Sequence, residues 1–435
     1  MLASGDVTIA SGTLAQDIEI GAQVRWASPH RLTLDSFRAI AFNRPMTVEG
    51  TGALTITTND GGTNGEFRFL DKGHVEFWDN SSSLIINGNA YTLANSIEEI
   101  LASRTLPRKN IAFTALARSF DLAGKNYKAA PIPWFRGIFE GLGNTISNLT
   151  VSDSKHACVG LFGCQNDITP TIRDIGVLNA NVQGSVVNYQ SVGALAGYSH
   201  GDIVGAYATG QVSGTGASSS VGGLVGAGIG NTIRFSHAAV TVSGSGHMTA
   251  VGGLAGSIVG DCVGGACEGL LEESYATGSA TGGDGTEVGG LTGFNISSVI
   301  VNCYATGAAS VGANGFVGGL IGFSEDDAAE KAVAIVQNSY STGLVQRSAD
   351  SSANGGLIGY DMAAGNRVHL YWDMDTSGIS DPSRGAGLPF NDTGITGLTT
   401  AQLTSGLPIG FSTLYWTQNA NVNGGFPYLK NLPPR

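Results

Sequence analysis

YATGQVSGTGASSSVGGLVG, residues 207–226, holds the two phrases that decide the fold. The closing phrase returns seven times: VGLFG from Val159, VGALAG from Val192, VGGLVG from Val221, VGGLAG from Val251, VGGLTG from Val288, VGGLIG from Val317 and NGGLIG from Asn354. Measured on the glycine after the first residue, successive copies stand 33, 29, 30, 37, 29 and 37 residues apart, which is the spacing of a repeat array. The opening phrase keeps a tighter interval. YATGQV at Tyr207, HAAVTV at His237, YATGSA at Tyr275, YATGAA at Tyr304 and YSTGLV at Tyr340 each precede the next motif glycine by 14 or 15 residues. Length varies elsewhere in the unit, in insertions such as 260–271 and 324–334, and this puts the loops on one side of a regular stack.

Glycine makes up 66 of the 435 residues. In a helix interior each would cost about 1 kcal/mol relative to alanine, so helical repeats are disfavoured. Short strands with glycine corners suit the composition. Alternation in YATGQV puts Ala208, Gly210 and Val212 on one face and Tyr207, Thr209 and Gln211 on the other. No such strand buries its small apolar face alone, so each coil must lie on the next, about 4.8 Å away. The predicted fold is all-β, a right-handed parallel β-helix (β-solenoid). Val and Leu of VGGLVG stand three apart, so both point inward only if the glycine pair bends the chain into a corner.

Around this array the chain divides into four stretches. Residues 1–93 read as short strands of looser spacing, among them GDVTIASG, MTVEGTGALTITTNDGG and SLIINGNAYTL. Residues 94–134 open with a capping box, Ser96 to Glu99, which predicts a short helix and then a connecting segment. Residues 135–365 begin with FRGIFEGLGNTISNLTV and carry the repeats. Residues 366–435 are richer in proline, contain Trp372 and Trp416, and show a second capping box at Thr399 with Gln402. An open solenoid end exposes unpaired backbone groups, so this last stretch, with Tyr415, Trp416, Phe426 and Tyr428, is expected to act as a cap.

A net charge of −12 with only 13% charged residues, and no Lys/Arg cluster, argues against nucleic acid as a partner. No run approaches the ~18 apolar residues of a membrane helix, and the first 30 residues lack a basic start followed by an apolar stretch.

The order GDVTIASG…LTL…GTGALTI, then INGNAYTL with its helix, FEGLGNTISNLTV, the VGGLVG/YATGQVSG units and a closing YWTQNANVNGGFPYL resembles the filamentous-haemagglutinin-like bacterial surface adhesins that carry GLUG repeats. That resemblance implies a secreted or cell-surface passenger on the outer-membrane exterior, moved by a partner transporter of the two-partner type. Its rigid β-helical stalk would present a surface to a host or bacterial glycan or protein. GLUG repeats also resemble segments of IgA-cleaving metallopeptidases, so a scaffold segment of a larger surface protease is the alternative.

The residues themselves point away from catalysis by this chain. None of His30, His74, His156, His200, His237, His247 or His369 has the neighbours of an HExxH zinc site. A carbohydrate-active β-helix, the second alternative, needs carboxylates gathered on one face. Asp202 stands five residues before Tyr207, but the equivalents are Thr232, Leu270, Val299 and Ile335. No cofactor or metal is expected. Asp373, Asp375 and Ser377 could open a calcium loop, yet without a bidentate Glu an Asx turn is the better reading.

Cysteine leaves five thiols to place. Cys262 and Cys267 bracket VGGA in an insertion, where a loop-stapling disulfide is plausible in an exported protein. Cys158 and Cys164 flank VGLFG; on a straight strand they lie roughly 20 Å apart and cannot pair. Cys303 sits where other copies have Ser274 and Ser339, a place for a buried free thiol. The column Tyr207, His237, Tyr275, Tyr304 and Tyr340 is the candidate binding surface. If alternation holds, its rings face outward, one per coil, open to sugars or a partner. The plainer alternatives, which are favoured, are a ring ladder that locks register or rings turned inward by bulges.

Overall fold

The computed structural model describes residues 2–103, 111–165, 171–185, 187–263, 266–329, 332–363 and 365–434, without the side chains of 262–268. Two compact units form: one from residues 1–122, 136–147 and 169–176, the other from 123–135, 148–168 and 177–435. This division differs from the one expected at residue 94. The reason is pairing: Asn89–Ala94 lies parallel to Ala112–Leu116, which lies parallel to Gly137–Glu140, and so on to Thr171–Arg173. The helix Ile97–Ser103 is thus an insertion within the first unit, started by Ser96 Oγ accepting from the Glu99 N–H at 3.2 Å.

The first unit is itself built of parallel ladders. Val7–Ala10, Arg31–Asp35, Ala53–Thr57 and Ser83–Ile86 form one; Ile18–Ile20, Ile40–Phe42 and Phe67–Phe69 a second; Val24–Trp26, Met46–Val48 and Val75–Phe77 a third. Inward alternation is clear in Arg31–Asp35, where Leu32 and Leu34 are buried between half-buried neighbours. After Asn87 (φ 46°) and Gly88 (φ 80°) the chain reverses, and Ser83–Ile86 pairs antiparallel with Asn89–Ala94.

In the second unit each repeat is one coil of a parallel β-solenoid, the fold expected from the phrases. The motif valines pair in unbroken register, Val159 with Val192, then Val221, Val251, Val288 and Val317. The corner is real: strand Ser220–Gly222 ends, Gly223 and Leu224 bend, and Val225–Ile229 begins, with Val221 and Leu224 both fully buried. The aromatic strand of each coil pairs as read, Tyr207–Gly214 on His237–Gly244 over its whole length, with Ala208, Val212, Ala238, Val240 and Val242 inside. A left-handed residue turns the chain two positions before each aromatic: Gly205, Phe235, Glu273, Asn302, Asn338 and His369 all have φ between 40° and 66°.

The motif glycines have a use beyond the corner. A Cβ built on Gly322 falls 2.6 Å from the Val288 nitrogen, and Gly226, Gly256 and Gly293 meet Val192, Val221 and Val251 in the same way. Two sheets of the solenoid therefore touch backbone to backbone, with no side-chain layer between them. Insertions leave the stack after these strands. Residues 260–271 hold a two-stranded hairpin, Asp261–Val263 with Ala266–Glu268, and 324–334 hold a bridge between Asp327 and Ala332.

The last stretch first lengthens the stack. Arg367–Asp373 and Ile395–Leu398 continue the coils in parallel register. Beyond Thr399, whose capping box with Gln402 forms, the chain turns back along the side of the solenoid. Asp373 and Asp375 anchor that turn: Thr400 donates from Oγ1 to Asp373 Oδ2 at 2.6 Å and from its N–H to Asp375 Oδ2 at 2.8 Å. The Asp373 Oδ1 accepts the Asp375 N–H at 2.9 Å, the Asx turn anticipated there.

Candidate functional site

Alternation carries the rings of Tyr207, His237, Tyr275, Tyr304 and Tyr340 out of their coils, and coil spacing stacks them. Centroid separations are 5.1, 4.8, 4.8 and 5.3 Å, with interplanar angles of 15° or less. An open ligand surface does not result. Tyr275, Tyr304, Tyr340 and the next ring, Tyr371, are buried in one cluster with Leu403, Phe411, Trp416 and Leu429 of the returning C-terminal strap. His237 is also buried, and Tyr207 is half-buried. The rings stack as the favoured ladder, and the column offered as a candidate binding surface is sheathed by the chain itself over three of its five positions, because a stripe of phenol rings is apolar enough to bind its own tail.

The strap is fixed by directed contacts. Trp416 stacks on Phe411 at 4.4 Å and lies 6.1 and 5.9 Å from the rings of Tyr304 and Tyr340. Its Nε1 donates to Asn302 Oδ1 at 3.1 Å, Tyr371 Oη donates to the Ile409 carbonyl at 2.8 Å, and Tyr340 Oη donates to the Pro427 carbonyl while accepting from Asn423 Nδ2 at 2.8 Å. Tyr304 Oη is buried and finds no hydrogen-bond partner among the described residues. Burial pushes the phenols of Tyr304, Tyr340 and Tyr371 upward, so all stay protonated.

A second outward column was missed. The residue six after the motif's first position is Tyr198, Ala227, Ser257, Phe294, Phe323 and Tyr360 in successive coils, and these pair in register. Opposite it, across the backbone-to-backbone contact, runs Ser191, Ser220, Ala250, Glu287, Phe316 and Ala353. Together they form a seam. Phe316 packs against Phe323 at 5.7 Å and Tyr360 at 5.1 Å, and Phe294 packs on Phe323 at 5.1 Å; all four rings are half-buried. Glu287 stands beside them, and burial pushes its carboxyl up to about 7. The signal was present in the sequence as a fixed offset from the motif, but it lies in a stretch read only for its glycines.

The seam also corrects the cysteine reading. Cys158 and Cys164 occupy its first pair of facing positions and are joined in a disulfide, Cα to Cα 5.4 Å. The 20 Å estimate presumed a straight strand, whereas the chain folds over at Gly160 and Leu161 between Cys158–Val159 and Phe162–Gln165. Cys303 is a buried free thiol, its Sγ 3.3 Å from the Val301 carbonyl, and burial pushes its pKa up. The backbone sets Cys262 opposite Cys267 in the hairpin, but both side chains lie outside the described residues.

Carboxylates converge in the first unit, at Glu140 and Asp174, with Arg173 Nε 3.2 Å from one and 2.8 Å from the other. Glu140 is fully buried and Asp174 nearly so, and Glu140 Oε1 accepts the Leu142 N–H at 2.9 Å. Burial and the Asp174 charge push the Glu140 carboxyl up against the pull of Arg173. The trio is closed to substrate and ties down a turn. Among the described residues no group of three or more His, Cys, Asp or Glu is placed to hold a metal ion, and no helix is long and apolar enough to cross a membrane.

The geometry defines a class: a parallel β-solenoid with a self-covered aromatic ladder and a second, open aromatic seam. Neither a protein-family model nor a curated protein sequence matches the chain. Among solved structures it is similar to one described as a "putative immunoglobulin A1 protease" from Bacteroides ovatus, with a TM-score of 0.51 and 18% identity over 79% of this chain and 92% of that one. At such identity the likeness is one of fold.

Proposed function

We propose that this chain is a non-enzymatic segment of an exported bacterial surface protein, an adhesin-type stalk whose coils hold an outward binding surface in fixed register. The observation that carries this reading is the pairing of identical motif positions over seven coils with side chains displayed at constant offsets. A half-buried cross-seam disulfide supports passage through an oxidising compartment, since such bonds persist outside the cytosol. The fold likeness favours a second reading, in which the same coils serve as scaffold for a protease domain acting on immunoglobulin A1. Incubating the purified chain with immunoglobulin A1, and separately with glycan arrays and cell surfaces, tests both. Adhesion predicts saturable binding to cells or glycans without cleavage of anything. Immunoglobulin binding without cleavage supports the scaffold reading, and cleavage by this chain alone overturns the non-enzymatic assignment.

A further inference from the structure

Glu287 is out of place on the seam. Its register partners are Ala250 on one side and Phe316 on the other, and the corresponding residues of other coils are small or apolar, save the serines 191 and 220. Its neighbours across the seam follow from the glycine contacts. A Cβ on Gly293 falls 2.8 Å from the Glu287 carbonyl oxygen, and one on Gly322 falls 2.8 Å from its carbonyl carbon. Phe294 and Phe323, the residues after those glycines, therefore flank Glu287 as Phe323 and Tyr360 flank Phe316. Apart from its own backbone N–H, nothing among the described residues hydrogen-bonds or ion-pairs with the carboxylate.

A half-buried carboxylate ringed by aromatic groups and lacking a cation has one evident complement. Aromatic rings attract a cation through their negative faces, and a desolvated carboxylate supplies the point charge that selects it. We propose that Glu287, Phe294, Phe316 and Phe323 form a docking site for a guanidinium or ammonium side chain carried by an extended basic and apolar polypeptide. A polypeptide fits better than a free small cation because the rings of the site are only half-buried and continue along the seam as an apolar row. Tyr360 and Leu388 follow Phe323 in register, and Leu388 and Phe390 are exposed. An arginine or lysine at Glu287 would thus place its following apolar side chains on that row. The net charge of −12 draws such a partner in from solution. This site holds whether the chain is an adhesin stalk or a protease scaffold.

Fluorescence polarisation with the full chain tests it, using a fluorescein-labelled hexapeptide containing one arginine among leucines and glycines, and its citrulline twin, in low-salt buffer. The arginine peptide is expected to saturate, and the citrulline twin to bind about tenfold more weakly or worse. Glu287→Gln keeps the side chain's size and is expected to weaken the arginine peptide about tenfold, as is Phe316→Leu. Gln211→Ala, on the exposed side of another strand, is expected to leave affinity unchanged. Absence of saturation, equal binding of the two peptides, or unaltered affinity in a folded Glu287→Gln chain overturns the proposal.

Discussion

Two neighbouring rings of the covered ladder should respond with opposite sign to one chemical change. Tyr304→Phe and Tyr340→Phe each delete a phenol oxygen and leave the ring, so the stacking at 4.8 and 5.3 Å survives in both. At Tyr340 the hydroxyl donates to the Pro427 carbonyl and accepts from Asn423. Its loss removes both bonds; Asn423 Nδ2 retains the Pro427 carbonyl at 2.9 Å, so the cost is about 1–2 kcal/mol. At Tyr304 the hydroxyl is buried without a partner among the described residues, and removing it relieves a desolvation penalty of about 1 kcal/mol. The two variants should therefore differ by about 2–3 kcal/mol in how firmly the strap is held. Hydrogen exchange reads this directly at the strap amides, such as Trp416 bonded to Ser412 at 2.9 Å and Lys430 bonded to Tyr415 at 2.8 Å. Their protection should differ between the variants by roughly 30- to 150-fold. If Tyr304→Phe loosens the strap as much as Tyr340→Phe, the hydroxyl accounting is wrong.

Other perturbations follow from the seam and the corners. Gly226→Ala drives a Cβ into the backbone of Val192 and the Gly197 carbonyl and should cost several kcal/mol or prevent soluble expression, whereas Gly21→Ala meets nothing within 4 Å and should leave the melting temperature unchanged. Non-reducing peptide mapping should find Cys158 linked to Cys164, with Cys303 alkylated only after unfolding; reduction of this short loop should cost about 2 kcal/mol. Glu287, with its carboxyl raised from 4.5 to about 7, favours the folded state while protonated. That contribution is complete below pH 4.5 and is lost as pH rises through 7, so wild type should lose up to about 3 kcal/mol more than Glu287→Gln between pH 5 and 8 in paired thermal melts. Parallel melting curves for the two chains across that range would remove the assignment.

The coils were legible because every level of the sequence agreed on them. Period, glycine corners and alternation each gave the same inward set, Val221 with Leu224 and Ala208 with Val212, and all four are buried. What escaped the sequence was how parts of one coil meet other parts of the chain. Cys158 and Cys164 look distant while VGLFG is read as a strand, and only the fold-over at Gly160 brings them together. The tail's apolar residues, Tyr415, Trp416, Phe426 and Tyr428, announce a covered surface without saying which face receives it. Phe294, Phe323 and Tyr360 share an offset with Ala227 and Ser257, so no single residue type marked that column. Composition sees a row of equal residues more readily than a row of equal positions.

The backbone-to-backbone contact at the motif glycines also bears on how such a chain lengthens. With no side chains between the two sheets, one coil's fit to the next does not depend on which residues its neighbour happens to carry there. Excising residues 222–251 would join Val221 to Gly252 and restore the same phrase in the same register. Whole coils can therefore be gained or lost by recombination between copies without repacking that side, just as loops within a coil already differ in length, at intervals of 29 to 37 residues, without disturbing the register of the motif. Coil number is free to drift under selection for reach, and coil geometry is not.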